Sequence, residues 1–197
     1  MDLRTGTLRS SAMTDLLQRA VFLDRDGTLI EDLGYLSDPR GVRVYSGVVD
    51  GLRRLKEAGF RTVVVTNQSG IGRGYFTEVQ YQAVHAQFLA ALGAELIDAT
   101  YFCGDHPDEA SERRKPAPGM LLEAARDLGL DLARSWMIGD RAGDLEAGQR
   151  AGCRSILVRT GVGANAEPSG ADFVADDFAA AAAFILQTEA GQTENLA

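Results

Sequence analysis

The stretch that decides the fold is Ala20-Val21-Phe22-Leu23-Asp24-Arg25-Asp26-Gly27-Thr28-Leu29. Four apolar residues run without interruption into a polar segment that opens on two aspartates and a glycine. An apolar run with no polar alternation suits a strand buried on both faces of a parallel sheet. Similar runs follow at Thr62–Val65, Thr100–Phe102, Trp136–Ile138, Ser155–Val158 and Phe173–Ala175. Helical patterns fall between them. Val48, Val49, Leu52 and Leu55 recur at helical spacing, with Gly59 where a C-terminal cap belongs. Thr77 and Gln80 predict a capping box that opens a helix through Val84, Phe88 and Leu89. Leu121 to Leu128, Leu145 to Gly152 and Phe178 to Ile185 predict three more. Strands alternating with helices across short connections predict a three-layer, Rossmann-like α/β domain, its sheet mostly parallel and covered by helices on both faces.

With 197 residues, the chain has room for one domain with a sizeable core. We place it at residues 19–187, between loose tails at 1–18 and 188–197. Hydrophobic residues at 45% and charged residues at 24% exclude a disordered or fibrous chain. Lys plus Arg number 20 against 28 Asp plus Glu, a net charge of −8 that argues against binding nucleic acid by phosphate neutralisation. Cys103 and Cys153 are too few for a disulfide framework. No apolar run approaches a membrane span and the N-terminus lacks a secretory signal, so the expected location is the cytoplasm.

In open α/β sheets, ligands bind beyond the carboxyl ends of the strands. The first apolar run ends in Asp24-Arg25-Asp26-Gly27-Thr28, the second in Thr66-Asn67-Gln68-Ser69-Gly70, and the fourth in Gly139-Asp140 with Asp144 close behind. If the backbone stays extended past Leu23, Asp24 and Asp26 point one way and Arg25 the other. Crowded carboxylates repel unless a cation or shared proton offsets them. Oxygen ligands without His or Cys point to a hard ion, most naturally Mg²⁺. Such a site suits phosphoryl transfer. One aspartate can attack phosphorus, and its neighbour two residues on can move the proton. The Thr66 hydroxyl and the Lys115 ammonium can stabilise the phosphoryl oxygens.

These blocks, in this order, resemble the haloacid dehalogenase superfamily of phosphohydrolases. Phe22 to Leu29 is similar to its first motif, Val64-Val65-Thr66-Asn67 to its second, Lys115-Pro116 to its third, and Gly139-Asp140 through Asp144 to its fourth. Thr66 to Gly74, Arg114-Lys115-Pro116 and Pro118-Gly119-Met120 resemble the group of heptose-1,7-bisphosphate 7-phosphatases and histidinol-phosphate phosphatases. The resemblance implies that Asp24 is the nucleophile and Asp26 the general acid/base. It implies Mg²⁺ on Asp24, the Asp26 main-chain carbonyl and Asp140, with Asp144 nearby. Thr66 and Lys115 would bind the transferring phosphoryl group, and Asn67, Arg73 and Arg114 the rest of a small phosphorylated metabolite.

One departure matters. That group commonly carries a zinc loop, a Cys-x-His pair followed by Cys-x-Cys before the Arg-Lys. Here Cys103-Gly104-Asp105-His106 leaves one Cys and a displaced His, and Ser111-Glu112-Arg113 replaces the second pair. A structural zinc site takes four ligands, so this loop argues against zinc. No stretch has room for a cap domain. Specificity is therefore expected from the loops 31–40, 69–76 and 104–113. The expected reaction is hydrolysis of a sugar phosphate, heptose 1,7-bisphosphate being the closest match. Histidinol phosphate, recognised through Glu31, Asp32 or Tyr35, is the alternative. Further readings are a non-catalytic phosphate-sensing domain and, against the net charge, a polynucleotide 3′-phosphatase.

Overall fold

The computed structural model describes residues 17–165 and 170–194. Six strands, β1 (Ala20–Leu23), β2 (Arg61–Asn67), β3 (Ala99–Cys103), β4 (Trp136–Gly139), β5 (Arg154–Val158) and β6 (Phe173–Ala175), form one sheet in the order β3-β2-β1-β4-β5-β6. Every pairing is parallel. Each predicted apolar run is a strand, because a parallel sheet covered on both sides buries both faces of its strands.

Five helices cover the sheet: α1 (Val48–Glu57), α2 (Glu78–Leu92), α3 (Gly119–Leu128), α4 (Ala142–Ala151) and α5 (Phe178–Glu194). Strand periodicity divides the core in two. Val21, Leu23, Val64 and Ile138 pack with Leu52 and Leu55 of α1, Phe88 of α2 and Phe178 and Ile185 of α5. Ala20, Phe22, Val63 and Met137 face the other way, against Met120 and Ala124 of α3 and Ala147 of α4. The capping box at Thr77 and Gln80 forms as the sequence predicts, and Gly129 ends α3 in the left-handed conformation.

The tails differ from the sequence reading where the structure describes them. Residues 1–16 and 195–197 lie outside the described residues. Gln18 is tied to the end of α3, its N–H donating to the Gly129 carbonyl and its carbonyl accepting from Asp131. At the other end α5 continues to Glu194, past the expected limit at residue 187. Glu189 supplies a physical reason, since its carboxylate pairs with Arg154 at 3.0 Å and with Arg19.

Between Asp26 and α1, the only regular helical piece is the turn Pro39–Gly41, so no cap domain stands there. Between Asn67 and Lys115 the chain is used by a turn of helix at Ser69–Gly72, by α2 and by β3. The chain leaves β1 toward β2 and β3, then crosses back to β4 on the other side of β1. The direction of winding reverses between β1 and β4, and the carboxyl ends of these strands open a crevice there.

Candidate active site

Asp24 follows β1, Thr66 lies in β2, and Asp140 follows β4. The backbone N–H of Asp24 donates to the Ile138 carbonyl at 3.0 Å, which ties the end of β1 to the strand that carries Asp140. Asp144 lies in the first turn of α4 and caps it, its Oδ2 accepting the Arg141 N–H at 3.0 Å. One carboxylate oxygen from each of Asp24, Asp140 and Asp144 falls within 4.8 Å of the others, and all three residues are buried. Asp144 therefore stands beside Asp24 and Asp140 in one cluster.

Lys115 enters from the loop before α3. Its Nζ donates to Asp24 Oδ1 at 2.6 Å and to the Val65 carbonyl at 2.7 Å, and lies 2.6 Å from Asp144 Oδ1. Burial disfavours the ammonium, and the Asp144 and Asp24 carboxylates outweigh it, so the Lys115 pKa lies above the ordinary lysine value. Burial, with help from Asp144 and Asp140 and against the pull of Lys115, pushes the Asp24 carboxyl up to about 8. Burial and the Asp144 carboxylate push Asp140 up to about 6.

Fully ionised, the three carboxylates would carry two negative charges more than the Lys115 ammonium offsets, which is why Asp24 and Asp140 hold their protons more tightly than usual. Asp140 Oδ2 accepts the Val162 N–H at 2.9 Å, while Asp140 Oδ1 is buried with no hydrogen-bond partner among the described residues. A divalent cation with a preference for oxygen fits this donor set in charge, in chemistry and in the orphaned oxygen. Glycines make the room. A β-carbon on Gly27 or Gly161 would stand 2.4 or 2.3 Å from Asp140 Oδ2, and one on Gly139 would stand 2.3 Å from Asp144 Oδ2.

Above the cluster is a crevice of about 300 Å³, the size of a small-metabolite site. Thr66 and Gln68 form part of its floor, and Gln68 Nε2 donates to Thr66 Oγ1 at 2.8 Å. Arg114 also lines it, with Nη1 buried and no protein partner. Arg141 lines the opposite wall and pairs with Asp32 at 2.7 Å. Neither Gln68 nor Arg141 is a site candidate in the sequence reading, although both directly follow residues that the motifs single out.

Asp26 lines the crevice, but its carboxylate is not in the acidic cluster; the Arg25 side chain turns back to bind it at 3.0 and 3.1 Å. Asp24 and Asp26 both line the crevice while Arg25 is buried away from it, and Gly27, at φ +87°, turns the chain directly after them. Asn67 lines the crevice and is also tethered to the loop that carries Lys115. Its amide donates to the Lys115 carbonyl at 2.9 Å and accepts the Lys115 N–H at 3.1 Å. Arg73 is exposed and does not line the crevice, because the turn Ser69–Gly72 carries it away from the strand ends.

The 104–113 loop borders a separate shallow depression with Ile71 and Glu78. Within it the Cys103 thiol donates to Asp105 at 3.3 Å, and Ser111 Oγ accepts the N–H groups of Arg113 and Arg114 at 3.3 and 3.2 Å.

A parallel α/β sheet with aspartates converging at its switch point, a buried lysine and a threonine beside them defines the class of HAD-like hydrolases. A family profile described as HAD-hydrolase-like matches residues 112–181. The D-glycero-β-D-manno-heptose-1,7-bisphosphate 7-phosphatase of Yersinia pestis is 45% identical over 172 residues, covering 81% of this chain and 91% of its own. The enzyme of the same name from Haemophilus influenzae is 41% identical over 170 residues, covering 81% and 92%. The crystal structure of D,D-heptose 1,7-bisphosphate phosphatase from B. bronchiseptica, complexed with magnesium and phosphate, superposes with a TM-score of 0.78 at 35% identity, covering 86% of this chain and 99% of that one. The chain belongs to the haloacid dehalogenase superfamily, in the family of the heptose bisphosphate phosphatases.

Proposed function

We propose that the protein is a Mg²⁺-dependent phosphatase that removes the 7-phosphate of D-glycero-D-manno-heptose 1,7-bisphosphate through an aspartyl-phosphate. The observation that carries this reading is the convergence of Asp24, Asp140 and Asp144 on one another, with Lys115 Nζ 2.6 Å from Asp24 and Asp144, which line the crevice with it.

Asp24 attacks phosphorus with a carboxylate oxygen, and the bond from phosphorus to the sugar oxygen breaks. Asp26 gives the departing oxygen its proton and then takes one from the water that hydrolyses the aspartyl-phosphate. Lys115 and Thr66 bind the transferring phosphoryl group, where fixed donors act on the charge that develops. Asp24, the Asp26 main-chain carbonyl and Asp140 would hold Mg²⁺, with Asp144 beside them. When bound there, the ion would supply charge neutralisation for the phosphoryl oxygens.

Arg114, whose Nη1 has no protein partner, is the cation available for the second phosphate of a bisphosphate. Histidinol phosphate is less well served. Asp32, a carboxylate that could meet its amine, is already paired with Arg141. The Ser111 hydrogen bonds hold the loop before Lys115 in place of the missing ligand pair, so the protein works without zinc. Among the described residues no helix is long and apolar enough to cross a membrane, and both cysteines are free and buried. We place the reaction in the cytoplasm.

The test is phosphate release by the purified protein with Mg²⁺ from a panel of heptose bisphosphate, histidinol phosphate and other small esters. The bisphosphate should give the highest kcat/KM and Asp24→Asn should abolish turnover. A preference for histidinol phosphate overturns the substrate, and no turnover of any ester overturns the phosphatase.

A further inference from the structure

Asp26 is held from behind by groups that the reaction scheme above does not use. Its Oδ2 accepts from Arg25 Nε at 3.0 Å and from Gln68 Nε2 at 2.9 Å, and its Oδ1 accepts from Arg25 Nη2 at 3.1 Å. Arg25 is an unusual residue to find here. Its side chain is 1% exposed, and its guanidinium lies 5.3 Å from the centre of the buried Tyr81 ring. A buried guanidinium is costly unless a partner compensates it. Among the described residues, Asp26 is the only carboxylate that pairs with Arg25.

The Arg25 main chain adds rigidity. Its carbonyl accepts the N–H groups of Leu29 and Ile30 at 2.9 and 3.1 Å, so the turn at Gly27 and the guanidinium are fixed together. Gln68 donates to Thr66 with the same amide nitrogen that meets Asp26, which links the carboxylate to the phosphoryl-binding hydroxyl. The Asp26 side chain remains 21% exposed and lines the crevice. Every hydrogen bond named here reaches it through a donor, so the arrangement presents an acceptor to the crevice.

We infer that Arg25 and Gln68 are positioning residues for the second half of the reaction, a role that rests on the phosphatase reading above. They orient the Asp26 carboxylate to receive a proton from the water that attacks the aspartyl-phosphate. The water oxygen bonds to phosphorus, the bond from phosphorus to Asp24 breaks, and its electron pair returns to the Asp24 carboxylate. The water proton passes to Asp26 and inorganic phosphate leaves. A mispositioned Asp26 slows this step and leaves the enzyme phosphorylated.

The experiment uses the full chain with Mg²⁺ and p-nitrophenyl phosphate, whose phenolate departs without needing a proton. Rapid-quench kinetics follow p-nitrophenolate release, and mass spectra of the quenched protein follow phosphorylation. Arg25→Met and Gln68→Met should each show a burst of p-nitrophenolate and accumulate phosphorylated enzyme. Steady turnover should fall about ten-fold or more, a part of the ~10²–10⁴ that a positioned acid–base group contributes. Arg25→Lys should restore part of the rate. Gln68→Met carries the test if Arg25→Met fails to fold. Slower turnover without phosphorylated enzyme in both Met variants overturns the inference. If Asp26→Asn accumulates the phosphorylated form while those variants do not, the phosphatase reading stands and only the positioning role falls. If Asp26→Asn accumulates none, or Asp24→Asn still turns over, the reading falls and the inference with it.

Discussion

Lys115 Nζ and Asp24 Oδ1 lie 2.6 Å apart, although 91 positions separate the two residues in the chain. The lysine is the ammonium that the acidic cluster contains, and the proposed nucleophile is its partner. On the proposed mechanism, charge compensation and phosphoryl binding depend on one side chain.

Lys115→Met should therefore damage both. We expect kcat/KM for phosphate release to fall by ~10²–10³, the scale of losing one preorganised donor at developing charge. Urea unfolding in EDTA should show a loss of about 3 kcal/mol, since removing one member of a buried ion pair strands the other. Unchanged unfolding would show that the pair contributes nothing to the fold.

Proton linkage gives the metal-free protein a distinctive pH dependence. Asp140 and Asp24 are raised from 3.8 to about 6 and about 8, so each keeps its proton in the folded chain where the unfolded chain has released it. Their stabilising contributions are complete below pH 3.8 and are lost as pH rises through about 6 for Asp140 and about 8 for Asp24. In EDTA, the stability of the protein relative to Asp24→Asn should decline as pH rises across that window. Mg²⁺ should bind more tightly over the same range and raise Tm, because its ligands must be deprotonated. Thermal melts at several pH values, with and without Mg²⁺, check both signs; a relative stability that rises with pH contradicts the assignment.

For Asn67, the two hydrogen bonds to the Lys115 main chain predict a positioning effect. Asn67→Ala should lower kcat ~10-fold or more with little change in KM, since a misplaced lysine costs transition-state stabilisation. Steady-state kinetics on the bisphosphate decide. A rise in KM alone would return Asn67 to the substrate-binding role.

Gly27 tests the packing of the cluster. Gly27→Ala places a β-carbon 2.4 Å from Asp140 Oδ2 at a residue whose φ is +87°. Left-handed strain alone costs about 1–2 kcal/mol. The displaced carboxylate should also weaken Mg²⁺ binding in a calorimetric titration, and affinity equal to the unsubstituted protein would show that Asp140 is not a ligand.

Much of this protein is readable along the chain. Uninterrupted apolar runs define β1 to β6 because a parallel sheet covered on both faces needs no polar alternation. Thr77, Gln80 and Gly129 mark helix ends because capping is a matter of adjacent residues. Asp24, Thr66 and Asp140 could be grouped because each belongs to the carboxyl end of a strand, and parallel strands put all those ends on one edge. What the chain alone could not show depends on distances between segments far apart in it. The attachment of Asn67 to Lys115, the capture of Asp26 by Arg25 and Gln68, and the exposure of Arg73 are of this kind. So is the pairing of Glu189 that accompanies the longer final helix. Residue type and spacing set which groups are available; only packing decides which oxygen meets which nitrogen, because a hydrogen bond is lost over a fraction of an ångström.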